Sequence, residues 1–221
     1  MNTPDAVARA RQIKLLLFDV DGELTDGTLW YFPAGAEPET LVEVKGFSAH
    51  DGIGIALARR AGMKTGVITK RTSASVALRA RDLRMDYVRQ GIDRKLEALR
   101  AIWAESGCTP EQTCCMGDDV VDLPMLRHAG LAAAPANARP ELLTAAHFVA
   151  PHAGGAGAAR DLIEFILKAQ GIWDRVLRRY LSSPEPDYLR GGEPQLVIPA
   201  DGAAENEAAS PESGGNGSEA Q

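Results

Sequence analysis

Apolar residues run along this chain in short blocks, each followed by a polar turn and then by a helical repeat. Ile13 to Val20 is the first block and reads as a strand covered on both faces, as in a parallel sheet. Trp30, Tyr31, Leu41, Val42 and Val44 flank the turn signals Pro33-Ala34-Gly35 and Glu37-Pro38, which predicts a β-hairpin over Thr28 to Lys45. Asp51 to Ala61 sets Ile53, Ala56, Leu57 and Arg60 at helical spacing and stops at Gly62, and Lys64 to Thr69 predicts the next strand. A helix over Ser73 to Leu83 and a short strand at Tyr87-Val88 follow. Lys95 to Ser106 then repeats Leu96, Leu99, Ile102 and Trp103 on one face and ends at Gly107.

The alternation continues to the end of the patterned region. Thr109-Pro110-Glu111-Gln112 carries a reciprocal N-cap pattern with Pro at the first helical position, and leads into a strand over Thr113 to Met116. A helix through Met125-Leu126, a strand at Leu131 to Ala134, a helix at Glu141 to Ala145 and a strand at Phe148-Val149 come next. Ala159, Leu162, Ile163, Ile166 and Leu167 form the stripe of a helix packed on a sheet. Such alternation predicts an α/β fold: one doubly wound, Rossmann-like parallel-sheet domain over 1–181, with a hairpin inserted at about 28–45 after the first strand. No internal repeat is visible.

Charge separates the remainder from this body. The net charge is -6, yet from Ser182 onward eight acidic residues face Arg190 alone. The rest holds 22 acidic and 23 basic residues, so no basic surplus points to nucleic acid. The 182–221 segment is rich in Pro, Gly, Ser, Ala and Glu, a composition that predicts a disordered tail in which Leu196-Val197-Ile198 is incidental. No run of 18 apolar residues predicts a membrane span, and Met1 to Arg11 is too polar for a secretory signal, so a cytoplasmic protein is expected. Cys108, Cys114 and Cys115 lack metal-binding spacing and read as small buried residues.

Candidate chemistry falls at strand ends, the edge where open α/β sheets hold ligands. Asp19-Val20-Asp21-Gly22 closes the first block, Thr69 the second, and Gly117-Asp118-Asp119 with Asp122 follows a third, while Lys95 opens a helix. Phosphate monoesters repel anions, so a carboxylate nucleophile requires a divalent cation and fixed positive charge. With Gly22 permitting a turn, one of Asp19 and Asp21 can attack phosphorus while the other moves a proton. Asp118 and Asp119 can complete an oxygen-only shell suited to Mg²⁺, and Thr69 and Lys95 can contact phosphoryl oxygens. Each piece alone reads more simply as a turn, a cap, a solvated lysine or an acidic helix start. Their order along the chain is what argues for catalysis.

These motifs resemble the haloacid dehalogenase-like phosphohydrolases. Asp19 to Gly27, Phe47 with Asp51 to Gly54, Ile68-Thr69-Lys70-Arg71 and Gly154-Gly155 resemble its capless branch, which includes the 3-deoxy-D-manno-octulosonate 8-phosphate phosphatases, over roughly residues 11–180. The resemblance implies an Mg²⁺-dependent phosphatase of a phosphorylated sugar acid acting through an aspartyl phosphate. By position it implies Asp19 as nucleophile, Asp21 as acid/base and backbone ligand, and Asp118 as third metal ligand supported by Asp119 and Asp122. It further implies phosphate contacts from Thr69 and Lys95, and substrate contacts from Asp21, Ser48, Ala49, His50, Asp51, Gly52, Arg71, Arg79 and Lys95. The hairpin would join four subunits, each closing a neighbour's site.

Departures from that pattern bear on the substrate. His50 and Ala56 stand where arginine is common, Lys70 where glycine is usual, and Gly154-Gly155-Ala156-Gly157 lacks an arginine. Lys70 restores a positive charge or is simply solvated; Glu23 adds a carboxylate beside the nucleophile or points to solvent. Three readings stay open: the octulosonate phosphatase; a relative acting on another phosphoester, such as a nonulosonate 9-phosphate phosphatase or a phenylphosphate carboxylase small subunit; and a non-catalytic assembly or regulatory subunit.

Overall fold

Six of the apolar blocks lie side by side in one all-parallel sheet. In the computed structural model, which describes residues 2–35 and 41–182, the strands are β1 (Leu15–Phe18), β4 (Lys64–Ile68), β5 (Tyr87–Arg89), β6 (Thr113–Met116), β7 (Leu131–Ala134) and β8 (Phe148–Val149). Their order across the sheet is β5-β4-β1-β6-β7-β8. β2 (Trp30–Pro33) and β3 (Leu41–Val44) pair antiparallel as a separate hairpin, as expected, with Trp30 opposite Val44 and Tyr31 opposite Glu43.

The run Leu15 to Phe18 shows why a parallel strand reads as continuously apolar. Leu16 and Phe18 point into one core with Ile55, Leu57, Leu162, Ile163 and Ile166. Leu15 and Leu17 point into a second core with Leu99, Ile102, Met125 and Leu142. Alternate residues thus serve opposite faces, and all four are buried. The first face is covered by α2 (Ala49–Arg60), α3 (Ala74–Asp82) and α7 (Ala158–Ala169). The second is covered by α4 (Lys95–Ser106), α5 (Leu123–Leu126) and α6 (Pro140–Ala145). Cys114 and Cys115 are buried in opposite cores, and Cys108 is half-buried.

Two helices were not expected from the sequence. α1 (Ala6–Ala10) buries only Ala6 and Ala10, and α8 (Trp173–Leu181) buries only Val176. α1 is too short to show a period, whereas α8 sets Trp173, Val176, Leu177, Tyr180 and Leu181 at helical spacing, a signal that sequence reasoning missed. Among described residues no helix is long and apolar enough to cross a membrane. The tail from 183 on, with Leu196-Val197-Ile198, and residues 36–40 of the hairpin turn lie outside the described residues.

Candidate active site

β1 is flanked by β4 on one side and β6 on the other, so the crossovers diverge at its C-terminal end and leave a crevice there. Asp19 follows β1, Thr69 follows β4 and Asp118 follows β6, all at that edge. A cavity of about 510 Å³ opens between them, lined by Asp19, Asp21, Thr69, Lys70, Arg71, Asp118, Asp119 and Asn137 among others. Gly22 makes the turn at φ +91°, and a Cβ there would collide with the Asp118 carboxylate, so only glycine lets the two loops approach. Gly154 and Gly155 close over the same turn; a Cβ on Gly154 would strike the Gly22 carbonyl, and Gly155 N–H donates to Glu23 O at 2.6 Å.

Lys95 is buried behind the crevice and faces two carboxylates. Its Nζ is 2.9 Å from Asp19 Oδ1 and 2.5 Å from Asp122 Oδ1. The contact to Asp19 is an ion pair rather than a directed hydrogen bond, for Asp19 Oδ1 has no hydrogen-bond partner. Burial disfavours the ammonium, yet Asp19 and Asp122 outweigh it and raise its pKa. Asp122 Oδ2 accepts from the backbone N–H groups of Asp118 (3.1 Å) and Asp119 (3.4 Å). Both Asp122 oxygens are therefore engaged, which makes it a brace for the Asp118 loop.

Carboxylate oxygens of Asp19, Asp118 and Asp122 lie within 4.8 Å of one another. Burial, then Asp122, Asp19 and Asp119, lifts the Asp118 pKa to about 7, and burial with Asp19 lifts that of Asp122 to about 6. Crowded carboxylates of this kind favour a hard divalent cation, and the donors are all oxygen. Asp19 and Asp118, whose carboxylates reach the cavity, fit the group.

Asp21 is gripped from the hairpin by residues that sequence reasoning missed. The Lys45 ammonium pairs with Asp21 Oδ1 and lies 3.5 Å from Glu43 Oε1. Arg71 Nη2 donates to Glu43 Oε2 and, at 2.8 Å, to Tyr31 Oη, while its Nε stands 3.7 Å from Asp21 Oδ2. A signal did exist, because Tyr31 opposite Glu43, with Lys45 two residues on, forms a polar stripe on an otherwise apolar hairpin. Asn137 was also missed; its Oδ1 accepts from Gly154 N–H at 2.9 Å and ties the glycine loop to the cavity wall.

Several expected substrate contacts are not brought to this cavity. Arg79 Nη2 donates to Ser48 O at 3.2 Å, and its guanidinium lies 5.8 Å from the Phe47 ring centre. Gly52 makes room for that guanidinium, which a Cβ would strike. Asp51 accepts from the N–H groups of Gly157 (3.3 Å) and Arg160 (2.9 Å), capping the start of α7, with Ser48 and Ala49 at the start of α2 beside it. His50 lines a different cavity, with His152 and Arg160. Glu23 does not point to solvent: its side chain is wholly buried, Oε2 accepts from Asp19 N–H at 2.9 Å and Oε1 has no partner. Burial first, then Asp19, Asp122 and Asp118, raises its pKa well above the usual value.

Comparison with known proteins agrees with this arrangement. The family model for haloacid dehalogenase-like hydrolases matches residues 73–162. The 3-deoxy-D-manno-octulosonate 8-phosphate phosphatase KdsC of Yersinia pestis is 37% identical over 166 residues, covering 75% of this chain and 86% of the relative. The chain belongs to the haloacid dehalogenase-like hydrolases. It is a phosphatase, a phosphoric monoester hydrolase, of the kind represented by KdsC. The octulosonate phosphatase of Moraxella catarrhalis, solved with magnesium, phosphate and KDO, superposes with TM-score 0.75 at 33% identity, over 80% of this chain and 98% of that one. The cobalt-bound enzyme of Haemophilus influenzae gives TM-score 0.69 at 34% identity, over 75% and 93% of the two chains. The six-stranded sheet, the separate hairpin and the family expected from the motifs all stand.

Proposed function

We propose that this phosphatase is Mg²⁺-dependent and hydrolyses a phosphorylated sugar acid, 3-deoxy-D-manno-octulosonate 8-phosphate, through an aspartyl phosphate on Asp19. The observation that carries the reading is the convergence of Asp19, Thr69 and Asp118 at three adjacent strand ends with Lys95 behind them. The relatives named for octulosonate 8-phosphate support that choice of substrate.

Asp19 Oδ attacks phosphorus opposite the leaving oxygen, and Asp21 at the cavity wall delivers a proton to that oxygen. In the second step Asp21 takes a proton from water, which attacks the phosphoryl group and frees Asp19. Lys45 and Arg71 fix the Asp21 carboxyl for both transfers. Lys95 holds Asp19 and balances its charge, and the buried Thr69 offers its hydroxyl to a phosphoryl oxygen. The Asp19 and Asp118 carboxylates with the Asp21 backbone carbonyl would hold the Mg²⁺, which when bound offsets the repulsion between nucleophile and phosphate.

The site lies open beside an apolar hairpin, and the reading includes assembly as a homotetramer through that hairpin. A phosphate-release screen with Mg²⁺ tests the substrate, using octulosonate 8-phosphate, a nonulosonate 9-phosphate, neutral sugar phosphates and phenyl phosphate. The expected result is the highest kcat/KM on octulosonate 8-phosphate. Preference for phenyl phosphate or the nonulosonate would transfer the assignment to that substrate.

A further inference from the structure

The metal donors sit on two loops, and a third pair of segments holds those loops together. Asp19 and Asp21 lie on the turn after β1, and Asp118 on the loop after β6. Arg139 N–H donates to Asp118 O at 2.9 Å, so the segment after β7 is tied to the Asp118 loop. On the other side, Gly155 N–H donates to Glu23 O at 2.6 Å, and Gly154 lies so close to the Gly22 carbonyl that a Cβ would strike it. The glycine loop is thereby tied to the turn that bears Asp19 and Asp21. What remains is the join between the segment after β7 and the glycine loop. Ala136 N–H donates to His152 O at 3.0 Å, and Asn137 Oδ1 accepts from Gly154 N–H at 2.9 Å. Among described residues, Asn137 is the one side chain making that join.

The Asn137 carbonyl is hard to replace. Gly154 is buried, and among described residues its N–H has no other acceptor. A buried amide left unpaired costs more than the bond itself contributes, so without Asn137 the glycine loop relaxes away from the Gly22 turn to reach water. Asn137 itself lines the cavity beside Asp118 and Asp119. It stands where the two loops meet.

Resting on the Mg²⁺ reading above, we propose that Asn137 is a positioning residue for the metal site, whose carbonyl locks the glycine loop over the Asp19–Asp21 turn and so holds that turn in register with the Asp118 loop. A cation then finds its donors already placed and does not have to order them on binding. Two readouts on the full-length, chelator-stripped protein test this at a temperature where every variant is folded by circular dichroism: calorimetric titration with Mg²⁺, and hydrogen exchange of the glycine-loop amides. Asn137→Ala weakens Mg²⁺ binding about three- to tenfold, the range of one hydrogen bond, and speeds exchange at Gly154 and Gly155. Asn137→Asp keeps a side-chain acceptor at the same reach, so its exchange stays slow and its Mg²⁺ affinity is no weaker than that of the wild type. At saturating Mg²⁺ the kcat of Asn137→Ala returns toward the wild-type value, because the defect lies in holding the cation. Mg²⁺ affinity within about twofold of wild type in Asn137→Ala overturns the proposal, and so does a loss of affinity with the glycine-loop amides still protected. In either case the metal reading survives. A wild-type protein that takes up no Mg²⁺ overturns both.

Discussion

The backbone N–H of Asp19 donates to Glu23 Oε2 at 2.9 Å, joining the proposed nucleophile to a carboxyl group wholly removed from solvent. Burial and three neighbouring aspartates raise the Glu23 pKa above its ordinary 4.5, so the folded protein retains a proton that the unfolded chain releases. The sign follows from that difference. The contribution to stability is full below pH 4.5 and is lost progressively as pH rises toward the folded value. Melting temperatures of the metal-free protein are therefore expected to fall from pH 5 upward, and Glu23→Gln, which has no proton to lose, should flatten that slope. An equal slope in both proteins would show that Glu23 is ionised in the fold.

Asp118 gives a second pH dependence with a different readout. Its pKa is lifted to about 7 from 3.8, so below that value a proton competes with any cation at the site. Mg²⁺ affinity, measured by calorimetry on protein stripped with chelator, should rise about tenfold per pH unit below about 7 and then level. Chelation should abolish turnover and Mg²⁺ restore it, with Ca²⁺ a poor substitute because its larger shell is looser. Full activity after chelation would remove the metal from the mechanism.

The Asp19–Lys95–Asp122 group separates chemistry from stability. Asp19→Asn removes the attacking oxygen anion but keeps the shape, and should cost on the order of 10⁴- to 10⁶-fold in kcat with little change in melting temperature. Lys95→Ala leaves Asp122 buried without its cation, and should cost about 3 to 5 kcal/mol of stability as well as activity on every phosphoester. Denaturant titration beside kinetics checks both. A Lys95→Ala protein as stable as wild type would mean that the charge is balanced elsewhere.

The sheet and the aspartate positions were legible because their causes are local. β1, β6 and β7 are buried throughout since both faces are covered, and Asp19 and Asp118 follow where β1 and β6 stop. Lys45 was not legible, because a lysine closing a hairpin reads as solvated until Asp21, 24 positions away, is folded against it. Glu23 was not legible for the same reason, as its side chain turns inward to the Asp19 amide beside Asp122 and Asp118, which come from a distant loop. Arg79 was read from its charge as an anion contact, and within this chain its partners are the Phe47 ring and the Ser48 carbonyl. Strand ends are written in neighbouring residues, while side-chain partners are chosen by distant ones.

The hairpin supplies the last prediction, because most of its apolar side chains find no cover in this chain. Glu43, Lys45 and Tyr31 reach the site, while Trp30 (53% exposed), Phe32, Leu41 (57% exposed), Val42 and Val44 expose apolar surface around them. Contiguous apolar surface of this kind on a phosphatase with an open site calls for a partner, and a second copy carries the matching surface. Light scattering is expected to report four copies. Trp30→Glu should weaken association by about 2 kcal/mol or more, the usual worth of a central tryptophan, or about 30-fold in the association constant. Activity should fall with it at low enzyme concentration and recover as concentration rises, since the strands that lose their cover also hold Lys45 against Asp21. A monomer with full activity at all concentrations would refute the assembly and leave the hairpin as a support for Asp21 alone.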